Sequence, residues 1–378
     1  MSDARFDFAI AGAGIAGSTL AARLAAHGSV LLLERESQPG YHSTGRSAAM
    51  WMASYGPPQV RALTRASRPF YDEAGVLAPR GALYAAWQGQ EALQDGLAAT
   101  LRGSGTRFEA LDARAMHALV PVLRAEGLIG GLHEPDAMDI DVHALHQRAL
   151  REARARGAVL WTDAELLAAR RAASGASPSA WQLQIAGGRS AQAGLLVDAA
   201  GAWADTLAER AGLGPLGAFG IEPRRRSAFT FDAPGPEARG WPTVAGIDES
   251  WYFKPDAGML LGSPANADPV PPHDVVPEEL DIALGIARIE ERTTLVIRRP
   301  RRVWAGLRSF AHDGELVIGF DPRDSGFFWL AGQGGYGIQS AAGAAWLAET
   351  LITGAALPAA LAAEGADPAA LAPRRLLA

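Results

Sequence analysis

A glycine-rich turn between a predicted strand and a predicted helix constrains the fold of this chain more than any other feature. The apolar run Phe6–Ala11 leads into Gly12, Gly14 and Gly17, which form the pattern G-x-G-x-x-G. The Ala- and Leu-rich segment that follows, to about residue 27, is typical of a helix, and the run Val30–Leu33 predicts a second strand. The chain therefore opens with a predicted βαβ unit.

Each part of this motif has a physical role in binding the pyrophosphate of a dinucleotide. Gly12 permits the tight turn, Gly14 lets backbone amides approach the phosphates, and Gly17 allows close packing of the helix on the strand. The helix N-terminus adds partial positive charge. Glu34 follows the second strand, where a carboxylate can accept hydrogen bonds from ribose hydroxyls. The motif predicts a dinucleotide site but does not separate NAD from FAD.

Two later segments look like further pieces of the same nucleotide fold. The segment 195–204 combines a strand-like run with small residues, and Phe327–Ala331 predicts a strand that enters a glycine-rich loop and then a helix from about residue 338 to 351. A glycine loop that leads into a helix N-terminus can stabilise negative charge on the pyrimidine edge of a reduced flavin. The alternative is a glycine loop that serves only packing.

The stretches 55–135 and 220–310 have a different pattern, because short strand-like runs such as Ser227–Phe231 alternate with Pro/Gly turns. Asp256-Ala257-Gly258 and Asp313-Gly314 each predict a hairpin turn between flanking apolar runs. This pattern favours an antiparallel sheet, so we expect a mixed domain that is inserted twice into a discontinuous nucleotide-binding domain.

Composition excludes several classes of chemistry and partner. The chain has no cysteine, which removes disulfides, thiolate nucleophiles and Cys-ligated metals. Lys254 is its only lysine, so there is no Walker-type loop, and we interpret this lysine as a surface or strand residue rather than a Schiff-base nucleophile. The net charge of −6 argues against nucleic acid as a partner. We expect no secretory signal peptide and no transmembrane segment.

A group of His, Asp and Glu residues between positions 133 and 146 superficially resembles a metal site. We predict no metal there, because Asp141 can cap a helix that carries His143 and His146, and the carboxylate spacing matches no calcium loop.

Seven segments resemble the D-amino acid oxidase-like flavoproteins and, within them, the bacterial D-arginine dehydrogenase type. They are GAGIAGS, LLLERESQPGYHSTGRSAA, LVDAAGAW, RRRSAF, DESWYFKPDAGMLLGSPANADP, WAGLRSF and AGQGGYGIQ. The resemblance covers nearly the whole chain. It implies an α/β fold: a Rossmann-like FAD-binding domain (residues 1–54, 136–219 and 311–378) with an inserted antiparallel-sheet α+β substrate-binding domain (55–135 and 220–310).

The resemblance also implies noncovalently bound FAD and a set of residues that hold it. In the first glycine motif and after the second strand, these are Gly12, Gly14, Ile15, Ala16, Gly17, Glu34 and Arg35. The flavin-lining segment supplies Ser43, Thr44, Arg46, Ser47, Ala48, Ala49 and Met50. The middle of the chain adds Leu166, Gly201 and Trp203, and the last glycine loop adds Gly334, Gly335, Tyr336, Gly337, Ile338 and Gln339.

For the substrate, the resemblance implies a carboxylate clamp, which we define as Arg226, Tyr252, Arg308 and Tyr55. An arginine fork suits bidentate capture of a carboxylate. The carbonyl of Gly335 would receive the amino group. The implied reaction is hydride transfer from Cα of a D-amino acid to the flavin, followed by hydrolysis of the imino acid to a keto acid and ammonia. We assign positioning roles to the clamp and no general base, and we interpret Arg224 and Arg225 as solvated surface cations.

Two departures from the D-arginine type bear on the substrate side chain. Ala82 occupies the position at which that type has a glutamate for the guanidinium, and Met50 replaces an expected histidine. A cation without a buried counter-charge is costly to desolvate, whereas methionine lines apolar pockets well. We therefore expect neutral, apolar or aromatic D-amino acids as substrates.

Alternatives remain open at this point. A sarcosine- or glycine-type oxidase of the same fold would pass electrons to oxygen and produce hydrogen peroxide, whereas the dehydrogenase uses a quinone or another carrier. A noncatalytic nucleotide-binding module is a more remote alternative. We expect a cytoplasmic protein, with loose association to the inner face of the membrane as one option.

Overall fold

The computed structural model describes residues 4–171, 180–214 and 219–377. Residues 1–3, 172–179, 215–218 and 378, all within the ranges predicted for the FAD-binding domain, lie outside the described residues.

The described strands are β1 (Ala4–Ala11), β2 (Val30–Leu33), β3 (Met50–Trp51), β4 (Leu77–Pro79), β5 (Ala82–Trp87), β6 (Glu109–Asp112), β7 (Leu128–Glu134), β8 (Met138–Ile140), β9 (Val159–Trp161), β10 (Leu166–Arg171), β11 (Trp181–Ile185), β12 (Arg189–Asp198), β13 (Glu222–Phe231), β14 (Thr243–Gly246), β15 (Tyr252–Asp256), β16 (Met259–Ser263), β17 (Asp268–Pro269), β18 (Arg302–Phe310), β19 (Val317–Phe320) and β20 (Phe327–Ala331). The described α-helices are α1 (Ile15–Leu24), α2 (Pro58–Ala74), α3 (Glu91–Gly103), α4 (Ala113–Leu119), α5 (Val142–Ala155), α6 (Ala204–Arg210), α7 (Glu279–Arg292), α8 (Gly337–Thr353), α9 (Ala359–Ala363) and α10 (Pro368–Leu371).

The first sheet has a parallel centre, as the opening βαβ pattern predicts. Strand β1 pairs in parallel with β2 on one side and with β12 on the other, and β20 extends the parallel order beside β12. Strands β2 and β20 are buried at every position, which is why they appear in the sequence as continuous apolar runs. Helices α1, α2, α5 and α8 cover one face of this sheet, and α6 packs on the other face. The antiparallel strands β10 and β11 extend the same sheet from β12.

The second sheet is almost entirely antiparallel and contains nine described strands in the order β17-β13-β16-β15-β14-β5-β7-β6, with β18 beside β13. One face packs against α4 and α7 around a core that includes Phe229, Phe253 and Trp251. The opposite face of this sheet carries the residues of the predicted substrate site.

Of the two predicted hairpins, one is confirmed and one is wrong. Ala257 and Gly258 have positive φ angles and join β15 to β16, which pair as an antiparallel hairpin. The turn at Asp313-Gly314 joins no hairpin, because β18 pairs with β13 in the second sheet whereas β19 pairs with β20 in the first. Turn residues fix only the local bend, and the chain crosses here from one sheet to the other.

A three-stranded sheet, β3-β8-β4, connects segments from both sets of predicted ranges. Strand β3 places Met50 opposite Asp139, and β4 pairs with the other edge of β8. Among the helices of the described residues, none is both long and apolar enough to cross a bilayer.

Candidate active site

A cavity lies at the carboxyl ends of β1, β2, β12 and β20, below the glycine-rich turn that the sequence singled out. Many of the predicted cofactor residues line it: Gly12, Gly14, Ile15, Ala16, Glu34, Arg35, Ser43, Thr44, Ser47, Leu166, Gly201, Trp203, Gly334, Gly335, Gly337 and Ile338. The carboxyl edge of a parallel sheet is where α/β folds bind nucleotides. The structure therefore brings together, at this edge, residues from four distant parts of the chain.

Two glycines of the first motif are required by backbone geometry. Gly12 has φ of +103°, and a Cβ there would overlap the carbonyl oxygen of Ala199 on the neighbouring strand. A Cβ at Gly17 would overlap the carbonyl oxygen of Gly12 itself. Gly17 does not line the cavity; it lets α1 approach β1 so closely that the helix N-terminus faces the cavity.

Glu34 lies buried at the end of β2, where its carboxyl group faces the cavity. One oxygen accepts a hydrogen bond from the amide of Ala13 at 3.1 Å and the other from the amide of Glu36 at 3.0 Å. Burial raises the pKa of this carboxyl. A carboxylate has about four acceptor positions, so two remain for ribose hydroxyls. Beside it, the guanidinium of Arg35 stacks over the indole of Trp203 at 4.5 Å.

The 3₁₀ turn Ser43–Arg46 joins the cavity to the second sheet. The Thr44 hydroxyl accepts a hydrogen bond from the amide of Ile15 at 3.0 Å, and the Ser43 hydroxyl donates to the carbonyl of Leu307 at 2.7 Å. Arg46 does not line the cavity. Its guanidinium donates to the carbonyls of Val275 and Ala305, both at 3.1 Å, and to Asp274 at 2.6 Å.

Five other predicted cofactor residues do not line this cavity: Ala48, Ala49, Met50, Tyr336 and Gln339. Ala48 and Ala49 line a second cavity beside Lys254, and Ala49 has a positive φ of 59°. Tyr336 packs its ring against Tyr55, and Gln339 donates to the carbonyl of Tyr55 at 3.0 Å.

The last glycine loop closes the other end of the cavity, as predicted. Helix α8 begins at Gly337 and, within the described residues, has no side-chain cap on its N-terminus. Its first amides therefore remain available to an acceptor in the cavity, next to the exposed backbone of Gly335. The cavity thus combines an acceptor for ribose at one end, two helix N-termini and a glycine-rich loop. This arrangement fits an extended dinucleotide.

Sequence reasoning missed other residues that line this cavity. They are Ala11, Leu33, Gly40, Tyr41, His42, Ala164, Glu165, Ala199, Ala200, Ala202, Thr206, Leu207, Arg210, Leu307, Ser309 and Gln333. Most of them lie inside the segments that carry the family resemblance, so those segments could have indicated them. Six lie outside these segments, and only the folded chain brings them to the cavity: Ala11, Ala164, Glu165, Thr206, Leu207 and Arg210.

Arg226 and Arg308 lie on the same face of the second sheet, on the paired strands β13 and β18. Gly306 pairs with Arg226 and Arg224 pairs with Arg308, and alternate residues of a strand share a face. Tyr252 lies on this face as well. Its neighbour Phe253 pairs with Gly262, which also pairs with Phe229 on the opposite face, and successive residues of a strand alternate between the two faces. We call this surface the site face.

The electrostatics of the site face favour an anion. Burial and the nearby charge of Arg226 lower the pKa of Arg308 to about 10, while Tyr252 and Tyr55 act in the opposite direction. Arg308 donates to the carbonyl of Arg46 at 3.1 Å, and Arg226 donates to the carbonyl of Asn266 at 2.5 Å. Within the described residues neither arginine has an acidic partner. Two neighbouring cations without a counter-charge are stabilised by a bound carboxylate.

Tyr55 completes the wall of this site from the first half of the chain. Its ring contacts that of Tyr336 with centroids 4.9 Å apart, and its hydroxyl lies beside Gly335. Burial raises the pKa of Tyr55, so its phenol is a neutral hydrogen-bond donor at ordinary pH.

The site face continues from Tyr252 through β14 and β5 toward Ala82. Thr243 pairs with Ala82, and its hydroxyl donates to the sulfur of Met50 at 3.3 Å. Ala82, Met52 and Tyr84 belong to one buried apolar cluster, against which Met50 and Tyr55 pack. Sequence reasoning found Met50 and Ala82 but missed Met52, Tyr84 and Thr243, because strand pairing across the sheet brings them together.

One expectation about cations is wrong, and another is confirmed only in part. Arg225 is 8% exposed, points away from the site face and donates to Asp281 at 2.9 Å, so it is a buried structural cation. It alternates with Arg224 and Arg226 along β13, which turns it into the core. Lys254 is a strand residue but not a surface one: it is 4% exposed, pairs with Asp139 and donates to the carbonyl of Ala48 at 2.9 Å.

The region from His133 to His146 has structural roles in the fold. Asp141 caps α5 by accepting from the amide of Ala144 at 2.8 Å, as predicted. His146 lies buried under the glycine turn and bonds to the carbonyl of Ala13 at 2.8 Å. Over residues 4–171, 180–214 and 219–377, no group of three His, Asp or Glu side chains is placed to hold a metal ion.

Comparison with known proteins agrees with this arrangement. The family model described as FAD dependent oxidoreductase, or DAO, matches residues 7–350. The chain belongs to the DAO family. FAD is therefore its cofactor, and the cavity described above is where the residues fit it.

Solved structures of DAO-family fold superpose on nearly the whole chain. Glycine oxidase from Geobacillus kaustophilus is 23% identical, with a TM-score of 0.81 and 98% of each chain covered. L-proline dehydrogenase from P. horikoshii is 18% identical, with a TM-score of 0.82 over 99% of this chain and 98% of that one. L-alpha-glycerophosphate oxidase from Mycoplasma pneumoniae with FAD bound is 17% identical, with a TM-score of 0.82 over 93% and 95%. These likenesses show a shared fold, and the family model identifies the DAO-family protein described here as an FAD-dependent oxidoreductase.

Proposed function

We propose that this protein is an FAD-dependent D-amino acid dehydrogenase that oxidises D-amino acids with neutral, apolar or aromatic side chains. The observation that carries the proposal is the pair Arg226 and Arg308, which share the site face next to the cavity and have no acidic partner among the described residues. An α-amino acid supplies the missing carboxylate.

Each residue of the carboxylate clamp has a positioning role in this proposal. Arg226 and Arg308 hold the substrate carboxylate, and the phenols of Tyr252 and Tyr55 complete its hydrogen bonds. The carbonyl of Gly335 accepts from the amino group. Binding both ends of the amino acid fixes which face of Cα points to the cavity, and such orientation lowers the barrier of a transfer step. Bound FAD supplies the hydride acceptor.

The preference for apolar side chains rests on what lines the site face beyond Tyr252. Ala82 offers only a methyl group, and Met50 and Met52 offer polarizable apolar surface. A cationic side chain would be desolvated there without an ion pair, which is costly. Together with the resemblance to the D-arginine dehydrogenase type, this favours a related enzyme with a changed side-chain specificity. A quinone or another carrier is the proposed electron acceptor, and the cytoplasm, with or without loose membrane association, is the proposed location.

The decisive experiment is anaerobic mixing of the purified holoprotein with single amino acids while flavin absorbance in the visible range is followed. We expect rapid bleaching by D-leucine, D-methionine or D-phenylalanine, slow bleaching by D-arginine and none by the L-enantiomers. Bleaching by D-arginine faster than by D-leucine would contradict the side-chain assignment. Bleaching by L-amino acids alone would contradict the stereochemical assignment.

The runner-up is a sarcosine- or glycine-type oxidase, and the same protein separates the two. Sarcosine and glycine are added to the anaerobic series, and peroxide is measured in air with whichever substrate bleaches the flavin. Efficient peroxide production with sarcosine or glycine would replace the dehydrogenase proposal by the oxidase.

A further inference from the structure

One oxygen of a buried carboxyl group lacks a partner at the side-chain end of the proposed site. Glu134 ends β7 and is 1% exposed. Its Oε1 accepts a hydrogen bond from the Ser54 hydroxyl at 2.9 Å, whereas its Oε2 is buried without a partner in the described part of the chain. An unpaired buried acceptor is unfavourable, so such a group in a folded protein calls for a specific explanation.

Strand register places Glu134 on the site face. Ala82 pairs directly with Glu134 across β5 and β7, and it pairs with Thr243 on its other side. Side chains of directly paired residues lie on the same face with Cβ atoms about 5 Å apart. Ala82 ends at its methyl group, whereas Glu134, directly opposite it, carries a carboxyl group on the same face.

The same carboxyl group is connected to the carboxylate clamp through one peptide segment. Ser54, which donates to Glu134, immediately precedes Tyr55 of the clamp. Tyr84, on β5, interacts electrostatically with both Glu134 and Tyr55 and contacts the Ser54 hydroxyl. A substrate held by the clamp therefore extends its side chain toward the group Ser54, Tyr84 and Glu134.

Few charges surround Glu134. Asp136, in the turn after β7, is the nearest acidic group and is itself paired with Arg107 at 3.4 Å. Glu249, from the loop before β15, acts on Tyr84 and Tyr55. His133 and Glu109 pair across β6 and β7 on the opposite face. Within the described residues, no arginine, lysine or histidine forms an ion pair with Glu134.

We propose that Glu134 is a specificity-determining residue whose charge decides whether the site accepts an apolar or a cationic side chain. This inference rests on the proposed function of the site. With its proton, the carboxyl group is a neutral neighbour of apolar side chains. As a carboxylate on the site face opposite Ala82, it supplies the counter-charge that Ala82 does not.

Burial raises the pKa of Glu134 to about 7, which places this change in an accessible pH range. Because the pKa is raised, the neutral form prevails below pH 7 and the carboxylate above it. Attraction between unit charges roughly 6 to 12 Å apart, at an effective dielectric constant near 20, corresponds to a change of about tenfold to a hundredfold in relative binding.

The test measures kcat/KM of the holoenzyme for D-arginine and for D-norleucine from pH 5.5 to pH 9. The α-amino groups of the two substrates titrate alike, so their effect cancels in the ratio. We expect the D-arginine to D-norleucine ratio to rise at least tenfold through pH 7. In Glu134→Gln the ratio should stay low and flat, and in Glu134→Asp it should rise again.

Glu109→Gln is the matched control, since Glu109 lies on the adjacent strand but on the opposite face, and its profile should follow the parent protein. A flat ratio in the parent protein would overturn the inference even if Glu134→Gln failed to fold. A rise that persists in Glu134→Gln would overturn it as well. Failure of every D-amino acid to bleach the flavin would instead overturn the proposed function, so the two failures are distinguishable.

Discussion

The two walls of the cleft, the cofactor side and the substrate side, are held in place by different kinds of interaction. On the cofactor side most of the decisive groups belong to the main chain, namely the turn at Gly12 and the N-termini of α1 and α8, and one is a side chain, the Glu34 carboxylate at the end of a parallel strand. On the proposed substrate side they are side chains from β13, β15 and β18, brought together by antiparallel pairing. Backbone geometry therefore shapes most of the cofactor cavity, whereas side-chain charge distinguishes the proposed substrate site.

The largest effect is expected from Gly12→Ala, which tests the main-chain side. The new Cβ would overlap the carbonyl of Ala199 at a φ that L-residues rarely adopt, so β1 and β12 cannot keep their pairing. We expect a protein that does not retain FAD or does not fold, measured by the flavin-to-protein absorbance ratio and by thermal unfolding. Gly96→Ala, in open space on α3, is the control and should keep both properties. Normal flavin content in Gly12→Ala would break the comparison.

Arg308→Met tests the substrate side, because it should lower kcat/KM with little effect on FAD binding. Removing one cation of the clamp leaves the carboxylate of the substrate poorly paired, which costs about 2 to 5 kcal/mol, or roughly thirtyfold to several thousandfold in kcat/KM. Flavin content should change little, because Arg308 is only one of many residues that line the cofactor cavity and the main chain forms much of that wall. Arg224→Met is the matched control: Arg224 shares the strand and face of Arg226 but already pairs with Glu222 at 2.6 Å. A loss of FAD in Arg308→Met, or an equal kinetic loss in Arg224→Met, would contradict this separation.

Asp198→Asn tests whether the cofactor side tolerates a side-chain change. Asp198 is fully buried at the end of β12, and burial together with nearby Asp205 raises its pKa well above the usual 3.8. The folded protein thus holds a proton that the unfolded chain releases, so stability falls as pH rises above about 4. Asparagine removes this dependence, and we expect a gain of about 1 to 3 kcal/mol at pH 8 and little change at pH 4. Urea unfolding at the two pH values measures it, and a loss of stability at pH 8 would be the contrary result.

The smallest effect is expected where the two walls meet, at the pair of Arg46 and Asp274. Asp274 is 54% exposed, so its ion pair with Arg46 contributes about 1 kcal/mol or less. Asp274→Asn should therefore raise the Kd for FAD by less than about threefold. Arg46→Ala should have the larger effect, because it also removes the hydrogen bonds to Val275 and Ala305. Equilibrium titration of the apoprotein with FAD compares the two variants, and the reverse order would show that the surface pair dominates.

Sequence patterns were informative wherever the signal is local. Phe6–Ala11, the glycine turn, Val30–Leu33 and the last glycine loop were all found, because short-range sterics and hydrophobic periodicity specify them. The Asp256-Ala257-Gly258 hairpin was found for the same reason. The Asp313-Gly314 turn has an equally good local signal, but the strand after it pairs with β20 in the other sheet.

The substrate site shows the same limit more sharply. The family resemblance supplied Arg226, Arg308, Tyr252 and Tyr55. Only the alternation of burial along β13 distinguishes buried Arg225 from its neighbours, and this alternation can be used only once the strand is known. The sequence singled out Glu134 only as part of a group that superficially resembles a metal site. Its place opposite Ala82 could not be predicted, since that pairing depends on register across some fifty residues of chain.

Local sequence specifies the main-chain features of the cofactor side, because a glycine at a positive φ, a buried apolar strand and a helix start each depend on a few neighbouring residues. Strand pairing in the folded chain specifies which side chains share the site face, because a register shift of a single residue turns every side chain of a strand to the other face. That register places Arg226, Arg308 and Glu134 on the site face.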